Sequence, residues 1–409
     1  MTRIRGRVRG LAVSLAGGVL AAVLAPGVAN AQTVREGQWY LDYLNIPQAQ
    51  RISNGSGVTV AVVDSGVDAS HPDLAGSVLT GASFGNAQGR PATEDTDGHG
   101  TGMAGIIAGR GGDDRHETGV APGVKILPVR TSTTSDNDPD ATAQAIRWAV
   151  DHGADVINVS QGGNESTPAE VSAVHYAEVH NVVVVGAAGN TDAGIDSIAA
   201  PGRLKGVLNV TGVDRSGTFW SGSAQGKYAA LSAPAVKIIG PSPTSVYKSG
   251  YSEGTGTSAA AAIVSGVAAL VRAKYPSMDA ANVINRIVRT ATDRGPKGWD
   301  QQYGFGIVNP VGALTADVPT VDKNPLGGVV PDPLASSGAP QHDATPAQHA
   351  AAGTSSGLSL PLILAVAAVV VVLVIAAMIL LVLRNNRRAA VGVAADGPAP
   401  PRAEKRRSY

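Results

Sequence analysis

Five short runs at residues 58–63, 126–129, 156–159, 182–185 and 207–213 are rich in Val, Ile and Leu, and segments of helical period separate them. Runs that stay apolar and β-branched, without the alternation of a half-exposed strand, fit strands buried on both faces of a parallel sheet. Helical patterns lie at 141–152, where Ala145, Trp148 and Ala149 share a face, and at 168–180, 257–275 and 279–291. This strand–helix alternation predicts an α/β fold with right-handed crossovers, in which chemistry gathers at the carboxyl ends of the strands. Hydrophobic residues are 44% of the 409 residues but aromatics only 4%, so the core must be built from Ala, Val, Ile and Leu. With 16% charged residues the chain is neither disordered nor a coiled coil. It has no cysteine, which excludes disulfide scaffolds, thiol catalysis and thiolate metal sites.

The net charge of zero hides three unlike regions. Residues 1–31 carry four Arg and no acid, residues 384–409 carry seven bases and two acids, and the remaining 21 bases and 30 acids give the middle −9. An acidic middle argues against nucleic acid as a partner. The basic ends flank apolar runs. Arg3, Arg5, Arg7 and Arg9, the uncharged run 11–25 and the small residues Ala29-Asn30-Ala31 have the layout of a cleavable secretory signal peptide over 1–31. Residues 358–383 are 26 residues without a charge, followed at once by Arg384, Arg387 and Arg388. About 20 apolar residues cross a bilayer. The reading is a single transmembrane helix, a cytoplasmic basic tail at 384–409 and an exported body. Between them, 319–357 is rich in Pro, Ala, Gly and Ser and reads as an extended linker. The body proper spans 58–318, preceded by a short N-terminal extension at 32–57.

Four local patterns carry chemistry. The first strand ends in Asp64, a carboxylate that is costly after a buried run unless it is partnered. His99 lies between glycines at the head of a small-residue helix, in Asp97-Gly98-His99-Gly100-Thr101-Gly102. Ser258 sits where Gly254-Thr255-Gly256-Thr257 enters an Ala-rich helix, at the positive end of its dipole. Asn190 closes the strand that runs into Gly186-Ala187-Ala188-Gly189, and its amide can donate to a developing oxyanion. Each alone has an ordinary explanation as a cap or turn residue. Together, in the chain order Asp, His, Ser, they form a serine triad order. Serine needs His to take its proton, and Asp to fix the imidazole tautomer.

Residues from about 36 to 316 resemble the subtilisin-like serine proteases, or subtilases. The motifs are Val62-Val63-Asp64-Ser65-Gly66, His99-Gly100-Thr101 with Ala104-Gly105, Ala187-Ala188-Gly189-Asn190 and Gly256-Thr257-Ser258. The resemblance implies a twisted parallel sheet of about seven strands flanked by helices. It implies Asp64 as orienting residue, His99 as general base and acid, Ser258 as nucleophile and Asn190 as oxyanion donor. A narrower resemblance is to the mycosins, membrane-anchored subtilases attached to type VII secretion systems. It rests on Glu36-Gly37-Gln38-Trp39-Tyr40-Leu41, the signal peptide, the linker and the C-terminal span. Two departures stand out: the absence of cysteine, and Gly102 where subtilases usually carry a second His.

By the same resemblance, Ser160-Gln161-Gly162 is the edge that pairs with an extended substrate. The pocket for the residue before the scissile bond lies between this edge and Ala187-Ala188-Gly189. Neither wall is charged, which favours a small or apolar residue there. Asp73 matches a calcium ligand of some subtilases and Asp113 and Asp114 lie in the calcium-loop region. The six to eight oxygens calcium takes are not found, so these read as turn acids, and neither metal nor cofactor is expected. The extension at 32–57 is too short to form a core of its own. Trp39, Tyr40, Leu41, Tyr43 and Leu44 are expected to clasp the body. The expected role is a membrane-anchored extracytoplasmic serine endopeptidase acting on proteins or peptides at a type VII secretion membrane complex. The alternatives are a structural subunit whose proteolysis is dispensable, and an anchored general degradative subtilase.

Overall fold

The computed structural model describes residues 33–133 and 137–327. The expected signal peptide, most of the linker, the span at 358–383 and the basic tail lie outside the described residues. Seven strands form one sheet: β1 (Thr59–Asp64), β2 (Ala82–Ser83), β3 (Lys125–Arg130), β4 (Val156–Val159), β5 (Val183–Ala187), β6 (Leu208–Val213) and β7 (Leu231–Pro234). Their order is β2-β3-β1-β4-β5-β6-β7, and every pairing is parallel. A separate antiparallel pair, β8 (Ile238–Pro241) and β9 (Tyr251–Gly254), completes the strands. Among the described residues the helices are α1 (Val34–Gly37), α2 (Trp39–Tyr43), α3 (Ile46–Gln50), α4 (His99–Ala108), α5 (Pro139–Asp151), α6 (Pro168–Val179), α7 (Thr257–Lys274), α8 (Ala280–Arg289) and α9 (Pro310–Thr315).

The sheet is buried on both faces. One face of β1, β3, β4 and β5 packs on α5 and α6 through Ala61, Val63, Ile157, Val184, Ile146 and Ala173. The other meets the main core, built around α7. Eight alanines or glycines in α7 let strands and neighbouring segments approach closely: a Cβ on Gly266 would come within 2.6 Å of Val120. Among the described residues α7 is the one helix long and apolar enough to cross a membrane, but it is 83% buried within the body. It is a core helix.

The chain runs from β1 to β2 and β3 on one side and then to β4 on the other, so the strand order reverses at β1 and β4. Reversal opens a crevice at the carboxyl ends, where ligands bind in open α/β sheets. Helix starts follow local chemistry. Asp138 caps α5, accepting from the N–H groups of Asp140 and Ala141 ahead of Pro139 at the first turn. Thr167 and Glu170 form a reciprocal capping box on α6.

The N-terminal extension lies on the body as a strap of three short helices. Tyr40, Leu41, Leu44 and Ile46 are buried in the main core, and Trp39 is nearly so; Tyr43 packs at its edge. Polar anchors accompany them. The Trp39 indole donates to the carbonyls of Val236 and Lys237, both at 3.2 Å. Gln38 donates to the Thr118 carbonyl at 2.8 Å and accepts its N–H at 3.1 Å. Tyr40 donates to Glu117 at 3.0 Å. Beside it, Asp73 accepts from the Glu117 N–H at 2.8 Å and from the Tyr251 hydroxyl at 2.7 Å. Burial, reinforced by the charge of Asp73, holds the Glu117 carboxyl well above its ordinary value despite the Tyr40 hydrogen bond. Both donors reach Asp73 Oδ2, while its buried Oδ1 has no hydrogen-bond partner among the described residues. Asp113 likewise accepts from Arg115 and His116 in a surface turn. Among the described residues no group of three or more His, Cys, Asp or Glu is placed to hold a metal ion.

At the other end, the first residues of the segment read as linker are tied to the body. Asn282 of α8 exchanges two hydrogen bonds with Val321, Asn285 donates to the Pro319 carbonyl, and Asn324 donates to the Gly206 carbonyl at 3.0 Å. Residues 319–327 therefore belong to the packed body.

Candidate active site

Asp64 is the last residue of β1 and is fully buried. Its cost is met by donors. Oδ1 accepts the Ser65 N–H at 2.8 Å and lies 2.8 Å from His99 Nδ1, with Oδ2 at 3.0 Å from the same nitrogen. His99 opens α4, and two glycines make that possible. Gly98 caps the helix at φ 98°, a left-handed conformation, and a Cβ on Gly100 would sit 2.1 Å from the Gly66 carbonyl and 3.0 Å from Asp64 Cβ. The pair can meet only because residue 100 has no side chain.

A second buried carboxylate, Asp95, organises the loop before His99. Oδ1 accepts from Ser65 Oγ and from the N–H groups of Asp97 and Gly98; Oδ2 accepts the N–H and the hydroxyl of Thr101. Sequence reasoning missed Asp95 and left Thr101, which its motif contained, without a role. The available signal was an acid a few residues ahead of a helix start. Burial pushes the His99 imidazole down, but the charge and hydrogen bond of Asp64, with the charges of Asp97 and Asp95, more than offset it and raise it to about 9.

Ser258 stands second in α7, in the first turn, where backbone N–H groups have no intrahelical acceptor. Its hydroxyl donates to the Ser160 carbonyl at 2.9 Å. The Ser160 hydroxyl in turn bonds Asn158 Oδ1 at 3.0 Å and reaches the Ser258 carbonyl at 3.2 Å, which ties the end of β4 to the start of α7. Asn190 follows β5. Its Oδ1 accepts both the N–H and the hydroxyl of Thr257, each at 3.0 Å, which leaves its NH₂ as a donor; a Cβ on Gly256 would lie 3.2 Å from that nitrogen. Thr257 Oγ1 also accepts the Gly189 N–H at 3.0 Å. Thr257 is thus a positioning residue that the motif contained and whose role sequence reasoning did not assign.

His99, Ser258, Asn190, Ser160, Gln161, Gly162 and Gly189 line one cavity of about 440 Å³. Ala188 does not. It is fully buried and packs with Ile195, Ile198 and Ala199 behind the wall. The wall between Gly162 and Gly189 is completed by Ala187, Ala193, Ile195 and Ala199, with no charge among them. Gln161 is turned inward, its Oε1 accepting from the Thr131 hydroxyl at 3.0 Å.

Residues 55–306 match the family model described as Peptidase S8, subtilase family. Mycosin-1 of Mycobacterium tuberculosis is 36% identical over 336 aligned residues, covering 69% of this chain and 74% of that protein. Subtilisin DY of Bacillus licheniformis is 36% identical, over 62% of this chain and 90% of that protein. A solved structure described as the serine protease MycP1, an essential component of the type VII (ESX-1) secretion system, superposes with a TM-score of 0.62 at 33% identity, covering 70% of this chain and 90% of that one.

Proposed function

Since this chain belongs to the subtilase family and is a serine protease related to the mycosins, we propose that it cleaves peptide bonds through Asp64, His99 and Ser258 while anchored outside the membrane at a type VII secretion complex. The observation that carries the catalytic assignment is the 2.8 Å contact of buried Asp64 with His99 in a cavity that also holds Ser258 and Asn190. Asp64 holds Nδ1–H, which leaves Nε2 to take the Ser258 proton as the hydroxyl oxygen attacks the carbonyl carbon. The oxyanion meets the Asn190 NH₂ and the Ser258 N–H. His99 then gives its proton to the leaving amine, and water repeats the sequence on the acyl-enzyme. The charges that raise His99 stabilise the imidazolium this step creates.

The edge Ser160–Gly162 pairs with an extended substrate, and the uncharged wall suits a small or apolar residue before the scissile bond. Anchoring rests on the uncharged segment 358–383 and its basic flank. The secretion partner rests on the likeness to mycosin-1 and to MycP1. The test uses the full chain in detergent with a fluorophosphonate probe. Ser258 should be labelled, and Ser258→Ala should abolish both labelling and peptide cleavage. Asn190→Ala should keep the fold and lower kcat by about 10²–10³, the range for loss of one oxyanion donor. Cleavage that survives Ser258→Ala would refute the assignment. A deletion strain with normal protein export would remove the secretion partner.

A further inference from the structure

A second charged residue ends a strand beside Asp64. Arg130 closes β3, and the parallel ladder sets it in register with Asp64 at the end of β1. Its side chain is among the largest that are fully buried, with 1% exposed. A guanidinium so placed is costly unless its donors are met. Here they are met by neutral oxygens: the carbonyls of Pro91 at 3.3 Å, Glu94 at 3.1 Å and Ser132 at 3.3 Å, and the Thr96 hydroxyl oxygen at 3.0 Å. Pro91, Glu94 and Thr96 belong to one loop, so the planar fork grips that loop on both sides of Asp95. The fit is close. A Cβ on Gly66, at φ 110°, would lie 2.2 Å from the Glu94 carbonyl oxygen and 3.3 Å from Arg130 Cδ. Thr131, next in the chain, donates its N–H to the Asp64 carbonyl at 3.0 Å.

What this grip positions follows from the bonds beyond it. Asp95 Oδ1 accepts the N–H groups of Asp97 and Gly98, and Asp97 Oδ1 accepts the N–H of His99 at 3.2 Å. The charges of Asp97 and Asp95 belong, with that of Asp64, to the set that raises His99. Around Arg130, burial holds the guanidinium below its ordinary value, the charges of Asp95 and Glu94 opposing this and that of Arg90 adding to it. Arg130 does not line the cavity. We infer that Arg130 is a positioning residue for the general base: it fixes the loop from which Asp95 and Asp97 hold His99 in place. This rests on the serine protease reading above. Lysine could carry the charge, but its single ammonium cannot span the oxygens that the fork reaches.

The experiment uses the full chain in detergent, a quenched fluorescent peptide and rates measured across pH. Arg130→Lys keeps the charge and loses the fork, so it isolates geometry. Its kcat should fall about 10- to 100-fold, the order for a catalytic group displaced by about 1 Å. KM should stay within about threefold of wild type, because the cleft lining is untouched. As Asp95 and Asp97 withdraw from His99, the acid limb of the pH–rate profile should move down by about one pH unit, the low end of what one charge within ~4–6 Å is worth. Thr96→Val removes one acceptor at an exposed residue, so it decides the matter if Arg130→Lys does not fold. It should lower kcat by about 2- to 13-fold, the worth of one hydrogen bond, and move the limb the same way. An Arg130→Lys enzyme that melts lower but keeps its kcat and acid limb, a limb that moves up, or a Thr96→Val enzyme with the wild-type profile would overturn the inference. Fluorophosphonate labelling of the same preparations separates the two readings. Wild-type enzyme that labels and cleaves, with both variants unmoved, overturns the role of Arg130 alone; wild-type enzyme that neither labels nor cleaves overturns both.

Discussion

Replacing Thr257 by Val keeps the shape of the side chain and removes one oxygen. That oxygen makes two bonds: it donates to Asn190 Oδ1 at 3.0 Å and accepts the Gly189 N–H at 3.0 Å. The Thr257 N–H still holds Asn190 Oδ1, also at 3.0 Å. Asn190 therefore loses one of two restraints while its NH₂ remains. A net hydrogen bond is worth about 0.5–1.5 kcal/mol, and about 1.4 kcal/mol is tenfold in rate. If the restraint is spent on aiming the amide, kcat should fall about 2- to 13-fold, well short of the 10²–10³ expected for losing the amide itself. Stability should fall by about 1–3 kcal/mol, because the Gly189 N–H is left without its acceptor. The assay is a double-mutant cycle on kcat with Asn190→Ala, alongside thermal melts. Thr257→Val should cost little further rate once Asn190 is Ala. An equal loss of kcat in both backgrounds would refute the claim that Thr257 acts through Asn190, whatever the melts show.

His99 must be neutral to accept a proton, so kcat/KM should rise with pH through an acid limb centred above the free imidazole value of 6.5 and towards 9; a midpoint at or below 6.5 in a pH–rate profile would contradict the carboxylate set around it. The sign for stability is opposite: the contribution of a raised His is complete below 6.5 and lost as pH climbs through about 9. Leu41→Ala in the N-terminal strap should cost about 2–5 kcal/mol and lower Tm by roughly 4–20 °C, and deletion of 33–57 should prevent cooperative folding; an unchanged melt would show the strap to be ornamental.

The strands that could be read in advance are those with continuous β-branched runs, such as Thr59–Asp64 and Val183–Ala187, because burial on both faces leaves no polar alternation to confuse them. Leu231–Pro234 and the two-residue Ala82–Ser83 escaped, since neither carries a β-branched run. The hairpin of β8 and β9 escaped too, with Gly and Pro in one strand and Gly in the other. At the site, Asp64, His99, Ser258 and Asn190 stand at element junctions, and local glycine patterns mark them. Asp95 binds mostly within its own loop, where a lone acid gives no sign of its burial, and Thr257 acts through Asn190, 67 residues away. Ala188 was misread for a simpler reason. Successive residues leaving a strand face opposite ways, so with Ala187 and Gly189 on the cleft, Ala188 faces the core.

The way Asn324 is pinned to Gly206 fixes where the last described residues lie on the body. Gly206 precedes β6, at the amino end of a parallel strand, whereas Asp64, Ser160 and Gly189 all stand at the carboxyl ends. The two edges are separated by the length of a strand, about 20 Å for the six residues of β6 at ~3.3 Å each. The last described residues are thus fastened to the edge of the sheet opposite the cleft, as a stem stands behind the mouth of a lamp.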